Sequence, residues 1–467
     1  MRSGSLPECR RRPHPGPAAI VGLFFLALSV LGCGPSARRP NVLLVSIDTL
    51  RADHLASYGY ERETAPTLTR LAEEGARFEN AYSQAPSTVP THASLFTGRF
   101  PFEHGAYHVG LAVRDEEETL AERFRDAGYR TFAATSSVRF RGRTGFDQGF
   151  DRFERFDELE KNDRSQAVTD RVLEWIGQGD EPWFGFVHYF DPHQPYAPPE
   201  PWRTRWHPGI AMLDPEDTSD YLYFHDGPDK TVPPRVLEYL RALYDAEIRF
   251  LDVQLERLFA ALEPEAGTPG TLVLVTSDHG EEFKEHGGLS HARRLYEELL
   301  RVPFLVWWPG RIPARTVLPG PAQSIDVLPT LLDLAGVGAP AGLPGRSWHP
   351  ELLSREEPGA QPPSRDWVFA QLKDARWSLA ADMEDGRFKY ISRDDAPHRL
   401  FDLRADPGEQ EDRLHDRPDV VAKLRELAAV LGADAPPEVP VPAEPVSPEI
   451  RERLREIGYV EEAEGRP

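Results

Sequence analysis

The chain has 467 residues, 40% of them hydrophobic, and its 76 acidic against 54 basic side chains give a formal charge of −22. That apolar content can build a sizeable core, and the length allows one large domain with an appendage or two to three domains. The acidity excludes a general nucleic-acid binder, which needs Lys/Arg stripes to neutralise phosphates.

In chain order, the first feature is a basic start (Arg2 and Arg10 to Arg12) followed by an apolar stretch, Ala18 to Leu31, too short to span a bilayer comfortably. Val30-Leu-Gly-Cys33 closes it. This is a secretory signal pattern, similar to a bacterial lipoprotein cleavage site with Cys33 as the lipidated residue. The expected layout is a signal peptide over 1–32 and a tether over 33–40. The protein would be exported and held on the membrane, on the periplasmic or cell-surface side, through the lipid on Cys33. The only cysteines are Cys9 and Cys33. The mature fold therefore has no disulfide and no cysteine-type zinc site, and a metal must be held by Asp, His and hydroxyl groups.

From Asn41 the pattern alternates strand and helix. Asn41-Val-Leu-Leu-Val-Ser-Ile47 reads as a buried strand ending on Asp48. Pro66 to Gly75 is a short amphipathic helix closed by glycine, and Thr119 to Gly128 repeats it. Ala93 to Thr97 looks like the start of another helix. Tyr129 to Thr135 and Trp183 to Tyr189 read as strands, the latter followed by Asp191-Pro-His193. Val236 to Leu262 has the longest helical spacing. Thr271 to Thr276 is a second buried strand, ending in Ser277-Asp278-His279, and Pro303 to Trp308 is a further strand. Asp326 to Gly336 reads as a helix. Asp385-Gly386 marks a hairpin between Trp377 to Asp382 and Arg387 to Ile391, with Leu400 to Leu403 as a third strand. Pro418 to Leu431 is an amphipathic helix, Ala435 to Pro448 a proline-rich linker, and a last helix runs to about Ile457.

The implied fold class is α/β, with a large doubly wound, mostly parallel sheet and a small C-terminal antiparallel sheet subdomain. The expected boundaries are 41–347 for the main domain, 348–415 for the antiparallel subdomain and 416–467 for a helical and Pro-rich tail. Within the main domain, 198–234 is an irregular insertion rich in Pro, Trp, Tyr and Asp, suited to a lid over the site.

In doubly wound folds the carboxyl ends of parallel strands carry ligands. Two such ends can bring Asp48, Asp278 and His279 together across the sequence. A carboxylate and a neutral imidazole in adjacent positions suit a hard or borderline divalent cation. His286 and His291 follow closely. Between the two strand ends lies Thr88-Val-Pro-Thr-His92. A threonine is a weak nucleophile unless a metal or a base stabilises its alkoxide. Near a helix N-terminus Thr88 would meet N–H groups that favour a bound phosphate or sulfate. His193, after a strand and before a turn, can protonate a leaving oxygen or bind an anion.

These residues resemble the sulfatase family of the alkaline phosphatase superfamily. The likeness rests on Ile47-Asp48-Thr-Leu-Arg-Ala-Asp53, Leu71 to Phe78, Ala93-Ser-Leu-Phe-Thr-Gly98, Ser277-Asp-His-Gly280, Tyr296 to Pro303 and Leu400 to Pro407. It implies a large α/β layer structure followed by a small antiparallel sheet. The departures from the family pattern are equally specific. Thr88 stands where sulfatases have the Cys or Ser that becomes formylglycine, and His92 where they have Arg. Thr49 replaces the second aspartate of the metal pair, Ser136 aligns with a lysine, and the lysine before Tyr296 has no counterpart, His291 lying closest. The site is poorer in positive charge and richer in histidine. It looks more like superfamily relatives that use threonine, such as nucleotide pyrophosphatases/phosphodiesterases and lipid-linked phosphoethanolamine or glycerol-phosphate transferases.

The resemblance thus implies one divalent cation (Mn, Zn, Ca or Mg) held by Asp48, Thr88, Asp278 and His279. Thr88 would be the nucleophile, His193 and His291 would act on the leaving group, and His92, His193 and His291 would contact the substrate. The expected activity is hydrolysis or transfer on a phosphate or sulfate ester of a small molecule, lipid or glycan, with phosphoryl transfer favoured. The competing expectations are a sulfuric ester hydrolase proper and a non-catalytic lipoprotein that binds an anion or glycan.

Overall fold

The computed structural model describes residues 39–433 and 441–442, apart from 109, 142–143, 208–212, 215–216, 264–269, 355–364, 373–375 and 393–396. The signal peptide, Cys33, most of the tether and the last helix to about Ile457 lie outside the described residues. The described residues fall in one unit.

The large sheet takes eight strands: β1 Asn41–Ile47, β2 Ala76–Phe78, β3 Arg130–Thr135, β4 Arg152–Arg155, β5 Trp183–Tyr189, β6 Thr271–Ser277, β7 Phe304–Trp307 and β8 Thr316–Leu318. Their order is β8-β2-β7-β6-β1-β5-β3-β4. β7 runs antiparallel to β6 and β2, and the remaining pairings are parallel. The mostly parallel doubly wound sheet expected from the sequence is therefore the observed one.

The side-chain period of two splits β1 between two helical layers. Val42 and Leu44 face one side, with Phe186 of β5 and Leu274 of β6. Helices α1 Pro66–Glu74, α2 Thr88–Thr97, α3 Leu120–Asp126, α4 Lys161–Ile176, α5 Pro234–Ala260 and α6 Val327–Leu334 cover the sheet. On the first face α2, α3 and α6 contribute Phe96, Phe124 and Leu331. Leu43, Val45 and Ile47 face the other side, against Leu71 of α1, Val172 of α4 and Leu251 of α5. All five apolar side chains of β1 are fully buried, each stabilising the fold by roughly 1.5–3 kcal/mol. A near-continuous apolar strand is what a sheet covered on both faces requires.

Three local readings differ from the sequence expectation. The helix expected from Ala93 begins at Thr88, after Ser87 as its cap. Pro90 is its third residue, where no intrahelical N–H bond is required, so proline costs nothing there. The 16-residue helix α4 carries too many polar residues for its period to stand out. The insertion over 198–234 contains a helix, Thr218–His225.

The C-terminal sheet has β9 Trp367–Gln371, β10 Trp377–Met383, β11 Gly386–Ile391 and β12 Arg399–Asp402, adjacent in that order and antiparallel. One face packs on α7 Pro418–Leu431 through Val420, Leu424 and Ala428. The other packs on Tyr82, Leu295 and Leu300. Gln371 donates its N–H to the Gln84 carbonyl at 2.8 Å, and Lys389 of β11 pairs with Glu297 and Glu409, both at 2.9 Å. This subdomain thereby buttresses the segment that leads into Thr88. Within the proline-rich stretch, Val441–Pro442 pairs with Leu111–Ala112. Among the described residues no helix is long and apolar enough to cross a membrane.

Candidate metal centre

Strand register builds the site. Ser46 of β1 pairs with His188 of β5, and Ile47 with Ser277 of β6. Counting alternately, Ser46 and Asp48, Phe186 and His188, and Thr276 and Asp278 all turn toward the layer that holds α2. Two turns then lock together. Thr49 N–H donates to Asp278 Oδ1 (3.1 Å), and Leu50 N–H to Ser277 Oγ (2.9 Å). Ser277 Oγ–H donates to the His279 carbonyl at 2.7 Å. Tyr244 Oη–H holds the Thr49 carbonyl at 2.7 Å. Thr49 sits at a φ of 58°, a costly conformation for a β-branched residue, and these contacts keep it there.

The result is a buried cluster. His279 Nε2 lies 3.5 Å from Asp278 Oδ2 and 3.8 Å from Asp48 Oδ1. His279 Nδ1–H donates to the Gly280 carbonyl at 3.0 Å, which leaves Nε2 as the bare nitrogen. His188 Nε2 lies 3.6 Å from Asp48 Oδ2. Both Asp48 oxygens, Asp278 Oδ2, His279 Nε2 and Thr88 Oγ1 are buried without a hydrogen-bond partner among the described residues. Buried polar atoms are almost always satisfied, so five orphaned donors and acceptors at converging strand ends fit a cation. Asp48, Asp278 and His279 have ligand atoms mutually within 4.8 Å. Burial, and then the charge of Asp278, hold the Asp48 carboxyl well above the usual carboxylate range. Two carboxylates this close cannot both ionise cheaply unless a cation sits between them. The donor set fits a divalent ion.

The other expected residues are placed as follows. His92 is fully buried on α2. Its Nδ1–H donates to the Thr88 carbonyl at 2.8 Å, and Nε2 meets Ser46 Oγ at 2.9 Å. Both nitrogens are thus engaged inside the protein, tying the first turn of α2 to β1. His193 donates Nδ1–H to the Gln194 carbonyl at 2.7 Å. His291 donates Nδ1–H to Glu281 Oε1 at 2.9 Å, and Tyr196 donates to the other Glu281 oxygen at 2.8 Å. The rings of His279 and His291 lie 4.5 Å apart, and those of His193 and His291 4.9 Å. Burial is the main cause that keeps both His193 and His291 well below the ordinary imidazole value. His286 belongs elsewhere, bonded to Glu298 at 2.7 Å and stacked on Tyr296.

Sequence reading missed three contributors, Glu281, Tyr196 and Arg139, and read His188 chiefly as a partly buried strand residue. Glu281 and Tyr196 become partners of His291 only through the fold. Arg139, in a short turn after β3, is 5% exposed, and its charge acts on Asp48, His193 and His291. The site is therefore less poor in positive charge than its motifs suggest.

Gly280 separates the Asp278–His279 pair from Glu281, and an added Cβ there would collide with the Glu298 carbonyl oxygen. Gly280→Ala is expected to cost about 1–3 kcal/mol and to lower bound metal, because the Asp278–His279 backbone must shift. Thermal denaturation and metal analysis check this; unchanged values in both would show that the neighbouring backbone yields freely.

Comparison with known proteins agrees with this fold. The family model described as Sulfatase matches residues 40–337, and one described as N-sulphoglucosamine sulphohydrolase, C-terminal, matches 284–431. An uncharacterized sulfatase, YidJ, of Escherichia coli is 25% identical over 81% of this chain and 84% of its own length. PehA of Trinickia caryophylli, a multifunctional alkaline phosphatase superfamily protein, is 26% identical over 84% of this chain and 94% of its own. The solved phosphonate monoester hydrolase of Agrobacterium radiobacter shares the fold. It has a TM-score of 0.71 and 22% identity, over 87% of this chain and all of that one.

Proposed function

The chain belongs to the sulfatase family of ester hydrolases, and from that premise we propose that it cleaves phosphate esters with Thr88 as nucleophile beside one divalent cation. The observation that carries this reading is Thr88 itself. Its hydroxyl is the first on α2, fully buried and without a protein partner among the described residues, and the sequence has no cysteine after Cys33. A cation bound by Asp48, Asp278 and His279 would supply Lewis-acid stabilisation of the Thr88 alkoxide and of charge on the transferring group.

In this reading Thr88 Oγ1 bonds to phosphorus as its proton passes to the neutral His193–His291 pair. The bond from phosphorus to the leaving oxygen breaks, and that oxygen takes the proton the pair received from Thr88. Water, or another alcohol in a transfer, then attacks phosphorus and loses a proton to the pair, and Thr88 recovers a proton from it as the Thr88–phosphorus bond breaks. His92 holds the Thr88 backbone, and Arg139 faces the anion. The insertion over 198–234 reaches the site because Asp226 accepts from Leu289 N–H at 2.8 Å and pairs with Arg293 at 2.6 Å. In this reading its helix shapes the leaving-group pocket. Steady-state assays with phosphodiester, phosphate monoester and aryl sulfate, with Mn, Zn, Mg or Ca added, test the reading. A phosphate ester should have the highest kcat/KM.

Sulfate-ester hydrolysis is the second reading, favoured by the family match and by a relative named as a sulfatase. A highest kcat/KM with the aryl sulfate, together with sulfate trapped on Thr88, would establish it instead. Export and lipid anchoring through Cys33 complete the proposal. Cys33→Ala should move the protein from the membrane pellet to the soluble fraction, and mass spectrometry of the N-terminal peptide should lose the acyl groups. An unmodified wild-type peptide would end the lipoprotein assignment.

A further inference from the structure

We infer that His188 is a direct ligand of the cation, which gives the centre two carboxylates and two imidazoles and tunes it to zinc or a similar borderline transition ion rather than calcium or magnesium. The inference rests on the metal-dependent reading above and deepens it.

His188 is the next-to-last residue of the buried strand β5 and is fully buried. Neither of its ring nitrogens has a hydrogen-bond partner among the described residues. A core histidine kept for packing alone would leave two polar atoms desolvated and unsatisfied, which costs about 1–3 kcal/mol for each group. Strand parity points the ring at the other donors, since Ser46 and His188 are paired and Asp48 follows on the same face.

The distances are those of neighbouring ligands. Tetrahedral ligands at about 2.0–2.2 Å from zinc stand about 3.4 Å from one another. His188 Nε2 to Asp48 Oδ2 is 3.6 Å, His279 Nε2 to Asp48 Oδ1 is 3.8 Å, and His279 Nε2 to Asp278 Oδ2 is 3.5 Å. His188 and Asp278 also offer ligand atoms within 4.8 Å of each other. His188 thus stands beside Asp48 and Asp278, the two carboxylates of the Asp48–Asp278–His279 group. His92 meets the same distance criterion, but its nitrogens are taken by the Thr88 carbonyl and Ser46 Oγ, which leaves His188 as the second imidazole. Calcium and magnesium are served by oxygen donors, whereas imidazole pairs suit zinc and its neighbours in the first transition row.

X-ray absorption on the zinc-loaded full-length chain decides the matter by counting imidazoles, and two are expected. Zinc and calcium affinities of wild type and His188→Gln, measured by chelator competition with circular dichroism as the fold control, give a second readout. The variant should lose about 10- to 100-fold in zinc affinity and less than about threefold for calcium, whose oxygen donors remain. One imidazole in the wild-type spectrum would overturn the role of His188 and leave the metal-dependent reading standing. A wild-type protein that takes up no divalent ion would overturn both. If His188→Gln fails to fold, the wild-type spectrum still decides.

Discussion

Thr88→Ala is expected to lower kcat by about ten-thousand-fold or more, the scale seen when a nucleophile acting within a catalytic unit is removed, with the fold intact. The two halves of that expectation have separate physical grounds. Thr88 Oγ1 has no protein hydrogen-bond partner among the described residues, so its removal leaves no buried group unsatisfied. Alanine at the first turn of α2 is a better helix former than threonine, and the His92 bond to the residue 88 carbonyl at 2.8 Å uses only the backbone. Thermal denaturation should therefore hardly change. Thr88→Ser keeps a hydroxyl at the same atom and should retain part of the activity. Wild type quenched during turnover should yield a peptide with the transferred group on Thr88. Wild-type kcat in the alanine variant would remove Thr88 from the chemistry.

The sequence made some parts of this site legible because they are written into local patterns. Asp48 and Asp278-His279 stand out since each ends a run of buried β-branched and leucine residues, and parallel register alone brings such ends together. The sheet class followed from the same runs and the helical spacings between them. What stayed hidden depends on long-range contacts. Arg139 looks like any loop arginine until the turn after β3 brings its charge to Asp48. Glu281 becomes the partner of His291 only because the loop folds back to 2.9 Å. His188 sits in a strand whose alternation is obscured, since both faces of the sheet are buried and every residue of β5 is too. The early start of α2 was concealed by Val89 and Pro90, residues that usually argue against a helix but cost little before its hydrogen-bond ladder begins.

Removing the cation should have the second largest effect, and it should be visible without substrate. Chelation is expected to lower activity about a thousand-fold, since the ion's several kcal/mol of charge stabilisation disappears from the transition state, and re-addition should restore it. Stability should respond with a pH signature. In the stripped protein, burial and the charge of Asp278 raise the Asp48 carboxyl well above its unfolded value. The folded state then holds a proton that the unfolded chain has released, so this contribution is complete at acid pH and is lost as pH rises toward the folded value. A bound divalent ion lets both carboxylates ionise and cancels that loss. It also adds about 2.7 kcal/mol when present at a hundred times its Kd. The gap in Tm between loaded and stripped protein should accordingly widen as pH rises from mildly acidic to neutral. Asp278→Asn should narrow it, because the repulsion and the cation affinity fall together. Parallel Tm curves across that range would mean that Asp48 and Asp278 do not share an ion, and the centre would have to be assigned to other residues.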